Sequence, residues 1–360
     1  MCDNIRVRAK AFLLCAKTQE FVIYSKNTQY NFEIKNNFLE KRMHMSNKVT
    51  IIGAGSVGST IAYTMTVKGI ASEIVLIDIN HDKAEGEAMD IQQGTPFCCP
   101  VTIYAGTYED AKDSDVVVIS SGLPRKAGQT RLDLAQTNVN IMKEIAPEIA
   151  KYAPNALYII VSNPVDIMTY AFMKYSGLPE NKIIGSGTIL DTARLRYYLS
   201  DHFGVCQKNI HAYVMGEHGD SSFIPWSLAK IAAIGIEDYC KGIKYTGKDI
   251  VTPPNYDEVI EYVRTSGGEI IKNKQATYYA VSVSVCSIVE SLFTGKDYIM
   301  TVSSMMHGEY GLSDVCISHL VVLGIDGVTG CVTPTLLESE IELMHKSGNV
   351  LKDLISKLEF

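Results

Sequence analysis

Three short segments hold residues whose types and spacing suit proton and anion chemistry. In "GEHGD" a histidine, His218, sits between glycines just past the apolar run "HAYVM". Read as a strand followed by a tight turn, that run delivers an imidazole to a cleft, and imidazole titrates near neutral pH, as a general acid–base must. In "LDTARLR", Asp191 and Arg194 stand three apart, which puts them on one face of a helix. A carboxylate there can hold the imidazole and favour its protonated form, while the guanidinium can grip a substrate carboxylate through two parallel hydrogen bonds. In "SNPVD", Asn163 lies at the C-terminal end of the apolar run "ALYIIVSNP". That is the end at which open α/β sheets bind ligands. A fourth segment, "GLPRKAGQTRL", crowds two arginines and a lysine into a turn rich in Gly and Pro. It reads as a lid that brings Arg131 to a carbonyl oxygen, where negative charge develops. A proton donor, its carboxylate, a carboxylate clamp and a carbonyl polariser together make a site for hydride reduction of a 2-keto acid.

Such chemistry needs a hydride carrier, and "GAGSVG" supplies a place for one. Gly53, Gly55 and Gly58 form a GxGxxG run between a strand-like "KVTIIG" and a helix-like "SVGSTIAYTMTVKG" closed by Gly69. Glycines there let the backbone approach a pyrophosphate at a helix N-terminus, where unpaired N–H groups favour negative charge. Asp78 ends the next strand, "EIVLIDI". A carboxylate at that point accepts from both ribose hydroxyls and repels a 2′-phosphate, which favours NAD over NADP.

The elements that must position these groups follow a regular order. From Lys48, apolar strands alternate with helices: "KAEGEAMDIQQG", then "VTIYAG", "DVVVISSG", the long helix "LDLAQTNVNIMKEIAPEIAKYA" and "ALYIIVSNP". Alternation of this kind predicts an α/β fold, a Rossmann doubly wound parallel sheet with right-handed crossovers. Beyond about Gly187 the pattern changes to one or two long helices, "DEVIEYVRTSGGEIIKNKQATYYAVSVSVCSIVESLF", and antiparallel strands in "IMTVSSMMHGEYGLSDVCISHLVVLGIDGV". The expected division is an extension over residues 1–45, an NAD-binding domain over 46–186 and a mixed α+β C-terminal catalytic domain over 187–360, with ligands between the two domains.

Composition bounds the function classes. The chain has 360 residues, 46% apolar and 20% charged, with a net charge of −7. That charge argues against a nucleic-acid surface. No apolar run approaches the ~20 residues of a membrane helix. Nine cysteines without regular spacing fit reduced thiols and a cytoplasmic location, and no CxxC or HExxH pattern points to a metal. The first 45 residues, with eight Lys/Arg against four Asp/Glu, read as a tail outside the fold, or as a sign that translation begins at Met43 or Met45.

From Lys48 to the C-terminus the chain resembles the L-lactate and malate dehydrogenase family, and most closely its bacterial L-lactate dehydrogenases. The resemblance rests on "GAGSVGS", "IDIN", "GTYEDAKDSDVV", "GQTRLDLAQTNV", "SNPVDIMTY", "IGSGTILDTARLR", "HAYVMGEHGDSSF", "QATYYAV" and "GVTG". It implies that His218 and Asp191 are the catalytic pair, that Arg194 binds the substrate carboxylate and that Arg131 is the loop arginine. Asn163 then contacts both cofactor and substrate, and Thr277 stands near the small end of the substrate. Val57, Lys83, Tyr108, Gly122, Leu123, Ser162 and Ser186 become cofactor-lining positions beside the glycines and Asp78. A homotetramer is implied as well.

Two further positions acquire meaning only from this resemblance. By themselves Arg196 and His211 read as a surface arginine on a helix and a strand histidine. In the bacterial lactate enzymes these positions bind fructose 1,6-bisphosphate at a subunit interface, which implies allosteric activation, stronger at mildly acid pH where imidazole is charged. Arg125 departs from the lactate pattern. Lactate enzymes commonly carry glutamine there, and malate enzymes carry an arginine that pairs with the second carboxylate of oxaloacetate. "GEHGDS", "GQTRLDLA" and Thr277 favour lactate. The expectation is an L-lactate dehydrogenase that reduces pyruvate with NADH. Malate dehydrogenase, a broader L-2-hydroxy-acid dehydrogenase and a non-catalytic NAD-binding protein are the alternatives.

Overall fold

A computed structural model describes residues 47–124, 130–244 and 252–360. Strand β1 (Lys48–Ile52) runs into helix α1 (Ser56–Lys68), which Gly69 ends in the left-handed region at φ 65°. Then come β2 (Glu73–Ile77), α2 (His81–Gly94), β3 (Thr102–Ala105), β4 (Val116–Ile119), α3 (Arg131–Tyr152), β5 (Leu157–Ile160), α4 (Val165–Ser176) and β6 (Ile183–Gly185). These six strands pair in parallel in the order β3-β2-β1-β4-β5-β6. The chain leaves β1 toward one edge and returns through β4 on its other side, which opens a crevice beyond the C-terminal ends of β1 and β4.

The strand sequences are nearly continuous apolar runs because both faces are covered. Val49, Ile51, Ile74, Leu76, Val116 and Val118 pack with Ile61 and Met65 of α1. Their alternates Ile52, Val75, Ile77, Val117 and Ile119 point to the opposite face, against Val139, Met142, Ile145 and Ile149 of α3.

The second half begins with α5 (Ile189–Phe203) and the short strands β7 (Ile210–His211), β8 (Lys230–Ile231) and β9 (Ile234–Gly235), which form a small sheet of their own. After α6 (Ile236–Gly242), the expected helical stretch is two helices, α7 (Tyr256–Lys274) and α8 (Tyr279–Thr294), separated where Gln275 turns left-handed at φ 71°. Strands β10 (Tyr298–His307), β11 (Ser313–Gly324) and β12 (Gly327–Val332) pair antiparallel, and α9 (Glu338–Ser356) follows. These strands do not make a separate sheet. β10 joins β6 at Ser303 and Gly185, so one nine-stranded sheet runs from β3 at one edge to β12 at the other. "HAYVM" differs from the sequence reading. Regular pairing covers only Ile210–His211, and beyond it isolated bridges join Met215 to Phe223 and Gly216 to Ser318.

Candidate active site

The Gly-rich loop is shaped for close approach. Gly53 holds φ 104°, and a Cβ there would lie 2.8 Å from the Ser121 nitrogen. A Cβ on Gly58 would collide with the Gly53 carbonyl, so only glycine lets α1 pack onto the end of β1. Gly55 precedes α1 and provides no side-chain cap, and the first turn of the helix holds no acidic residue. Its leading N–H groups are therefore left for an anion. Asp78, just past β2, accepts the Ala54 N–H at 2.7 Å and the Asn80 N–H at 2.9 Å, which ties the acid to the same loop. Asn80 caps α2 through the Lys83 N–H, and the Lys83 side chain is exposed. Tyr108 is half-buried against the core, and burial, then Glu148 and Glu144, raise its phenol pKa.

Sequence reasoning missed the residue that holds the next two loops. Asn138 on α3 is buried, and its side chain accepts the Leu123 N–H at 2.9 Å. It donates to the carbonyls of Leu123 at 3.2 Å and Asn163 at 2.7 Å. One amide thus fixes the segment of Gly122 and Leu123 to the segment of Asn163. An asparagine inside an otherwise apolar helix face was the available signal, since buried amides are kept where they bond backbone. Ser162 is buried and donates to the Ser121 and Ile119 carbonyls, and Asn163 precedes a cis Pro164. Ser186 is buried at the end of β6.

Beyond these loops lies a cavity of about 300 Å³ lined by Val57, Asn163, Asp191, Arg194, His218 and Thr277, among others. Asp191, in the first turn of α5, accepts from Arg194 Nη1 at 2.8 Å through Oδ1 and pairs with His218 Nδ1 at 2.6 Å through Oδ2. Burial alone would raise the Asp191 pKa, but the charges and hydrogen bonds of His218 and Arg194 hold it below the usual value. An ionised carboxylate only accepts, so Nδ1 carries the hydrogen and Nε2 is the nitrogen left to exchange a proton. The Asp191 charge pushes the His218 pKa up to about 8 despite burial.

The loop bearing His218 is anchored at successive residues. Gly216 bridges Ser318 of β11, the Glu217 N–H donates to Ser347 Oγ at 2.6 Å, and the His218 N–H donates to Asp166 Oδ2 at 2.8 Å. Ser222 accepts from Arg264 on α7, a second guanidinium on the cavity wall that sequence reasoning also missed. Its signal was the helical spacing from Arg264 to Gly267 and Gly268, which share that wall.

Not every expected group reaches the cavity. Arg131, at the first position of α3 behind a Thr130–Asp133 capping box, is half-exposed and absent from the lining. Its guanidinium pairs instead with Asp220 at 3.4 Å and Glu217 at 3.7 Å. Asp78, Lys83 and Tyr108 also stand outside the lining. Arg125 lies outside the described residues. Arg196 on α5 is half-buried and donates from Nε to the carbonyl of Ala212 at 3.1 Å, while His211 is exposed.

Comparison with known proteins places this geometry. Residues 47–185 match the family model of the lactate/malate dehydrogenase NAD binding domain, and residues 188–359 that of the lactate/malate dehydrogenase alpha/beta C-terminal domain. The chain is 48% identical over 312 residues to an L-lactate dehydrogenase of Acetivibrio thermocellus, covering 87% of this chain and 97% of that one. It is 43% identical over 316 residues to L-lactate dehydrogenase 1 of Clostridium acetobutylicum, covering 88% and 100%. Among solved structures, a lactate dehydrogenase from a deep-sea metagenome library superposes with a TM-score of 0.84 at 37% identity, covering 88% of this chain and 100% of that chain. The minor L-lactate dehydrogenase of Enterococcus mundtii gives 0.83 at 35%, covering 88% and 99%.

Proposed function

The chain belongs to the lactate/malate dehydrogenase family, and from that premise we propose that it interconverts pyruvate and L-lactate with NAD. The observation that carries the chemistry is the hydrogen-bonded string Arg194–Asp191–His218 on the cavity wall. The curated relatives named above as L-lactate dehydrogenases carry the choice of substrate.

The Gly-rich loop fits a dinucleotide. Gly53, Gly55 and Gly58 leave room for the pyrophosphate at the N-terminus of α1, and Asp78 stands where a ribose diol is recognised. Val57 and Asn163 line the cavity, and Gly122, Leu123, Ser162, Ser186, Lys83 and Tyr108 are the further cofactor contacts that the family resemblance implies. When bound, the nicotinamide supplies or takes up the hydride. The chain's own groups do the rest. Arg194 holds the 2-keto acid by its carboxylate. Asn163 and Thr277 border the reacting end. His218 Nε2 gives its proton to the carbonyl oxygen as C2 gains the hydride, so the C=O π bond becomes one C–H and one O–H. Asp191 keeps the resulting neutral ring oriented and readies it for reprotonation. Arg131, parked on Glu217 and Asp220, swings to the carbonyl oxygen when substrate replaces those carboxylates as its partner.

A second activity, on oxaloacetate, is favoured by Arg125 and by Arg264 on the cavity wall, since either cation could pair with a second carboxylate. The proposed effector is fructose 1,6-bisphosphate. The presence of Arg196 and an exposed His211 at the family's effector positions supports this, because two such pairs across a twofold axis of a homotetramer would surround its phosphates. The expected location is cytoplasmic; among the described residues no helix is long and apolar enough to cross a membrane. NADH oxidation with pyruvate, oxaloacetate and 2-ketoisocaproate, with and without fructose 1,6-bisphosphate at about pH 6 and about pH 7.5, tests these points together. The expected order puts pyruvate first, with activation by the effector. A higher kcat/KM for oxaloacetate overturns the substrate, and a flat response overturns the effector.

A further inference from the structure

Behind the proton donor, and not on the cavity wall, lies a second carboxylate. Asp166, in the first turn of α4, is 2% exposed. Its Oδ2 accepts the backbone N–H of His218 at 2.8 Å. Its Oδ1 makes no well-formed hydrogen bond among the described residues, and neither does the buried hydroxyl of Ser303 on β10, which is still near enough to favour the Asp166 anion. The titratable groups around it are His218 and Glu217 from the loop and Cys316 from β11. Burial holds the Cys316 thiol well above its usual range, so it stays uncharged at neutral pH. The positive charge that favours the Asp166 anion is that of His218, and Glu217 opposes it. A buried carboxylate with an unpaired oxygen is costly unless a nearby cation answers it or a proton neutralises it.

We propose that Asp166 is a positioning residue of the proton-transfer step: it fixes the His218 backbone and, as a second buried anion beside Asp191, strengthens the hold of the imidazole on its proton. The proposal rests on the reading of His218 as the donor. Burial pushes the Asp166 carboxyl up to about 6, against the pull of Ser303 and the His218 N–H. His218 is held at about 8 by Asp191 first, with Asp166 adding in the same direction. The sign follows. Above about pH 6 Asp166 is an anion and supports the imidazolium; as pH falls through that value its Oδ1 takes a proton and the support is withdrawn.

Asp166→Asn tests this, because the carboxamide oxygen can still accept the His218 N–H while the charge is gone. Pyruvate reduction needs the imidazolium and lactate oxidation the neutral ring, so both pH limbs should move to lower pH together. Above the alkaline limb, kcat/KM for pyruvate should fall about threefold, while below about pH 6.5 lactate oxidation should rise by a similar factor. A packing defect alone would depress both directions at every pH, and limbs that stay in place overturn the proposal. If the variant does not fold, the unmodified protein still decides. Below about pH 6 its lactate oxidation should run about threefold above the curve of a single ionisation at about pH 8 once Asp166 is protonated, and a profile that follows that single-ionisation curve throughout overturns the idea. If no 2-keto acid is turned over, the dehydrogenase reading fails by itself. Titration of the His218 ring by NMR in the wild type and Asp166→Asn then judges Asp166, and identical midpoints refute it.

Discussion

Replacing Asp191 by Asn removes the charge that does most to hold a proton on His218. The structure sets the size of the effect. His218 is raised from 6.5 to about 8, first by the Asp191 charge and then by its hydrogen bond, against a desolvation that pulls the other way. That displacement corresponds to about 2 kcal/mol of preference for the imidazolium. Without Asp191 the ring should return to its ordinary value or below. At about pH 8 the protonated fraction then falls from about one half to about 3%, roughly fifteenfold, whereas at about pH 6 it changes by less than about twofold. On top of this lies a pH-independent loss, because an amide can turn its NH₂ toward Nδ1 and select the wrong tautomer. The assay is the pH profile of kcat/KM for pyruvate, with NADH binding followed by fluorescence as a control that should not change. Stability provides a second reading. A group whose pKa is raised on folding stabilises fully below its unfolded value and loses that contribution as pH rises through the folded one. The wild type should therefore lose up to about 2 kcal/mol from this pair between about pH 6.5 and above pH 8, and the variant should not. An alkaline limb that stays near pH 8 in Asp191→Asn would refute the assignment of the shift to this carboxylate.

Three other substitutions test the surroundings of the site. Gly58→Ala should abolish tight NADH binding, since its methyl meets the Gly53 carbonyl and α1 must move; an unchanged Kd from fluorescence titration would contradict this. Asn138→Ala should destabilise the protein by about 1–3 kcal/mol in urea unfolding, because it leaves the Leu123 N–H and two carbonyls unpaired. It should also raise the KM for NADH more than it lowers kcat, and an equal loss in both would place the effect elsewhere. Arg125→Gln should reduce oxaloacetate turnover while sparing pyruvate, and equal rates before and after would mean that Arg125 does not face substrate.

Much of the fold was legible because it is written in local patterns. The apolar strands, the glycine run and the capping Gly69 depend on neighbours within a few positions. That Asp191 and Arg194 share a face was legible for the same reason, as it follows from one turn of helix, whereas the ion pair between them came only with the structure. What stayed hidden rests on bonds between residues far apart in the chain. Asp166 meets His218 across 52 positions, and Ser347 meets Glu217 across 130. Nothing near Asp166 in "SNPVD" marks it as a support for the loop, because its meaning lies in a backbone N–H that any residue carries. The breadth of the sheet was hidden likewise, since β10 meets β6 through one register pair. Arg131 was recognised by type, but its partners Glu217 and Asp220 come from the histidine loop and depend on tertiary folding.

The seam between Ser303 and Gly185 has a consequence for how the molecule fails. The cradle at Gly53 and the Gly216–Ser318 bridge that carries the histidine loop hang from one continuous hydrogen-bonded sheet. A dinucleotide that binds the folded state draws the folding equilibrium toward it by mass action. Occupancy of the loop after β1 should thus slow proteolysis and hydrogen exchange at β11, on the far side of the seam. The abundance of the cofactor would then govern the protein's lifetime as well as its turnover.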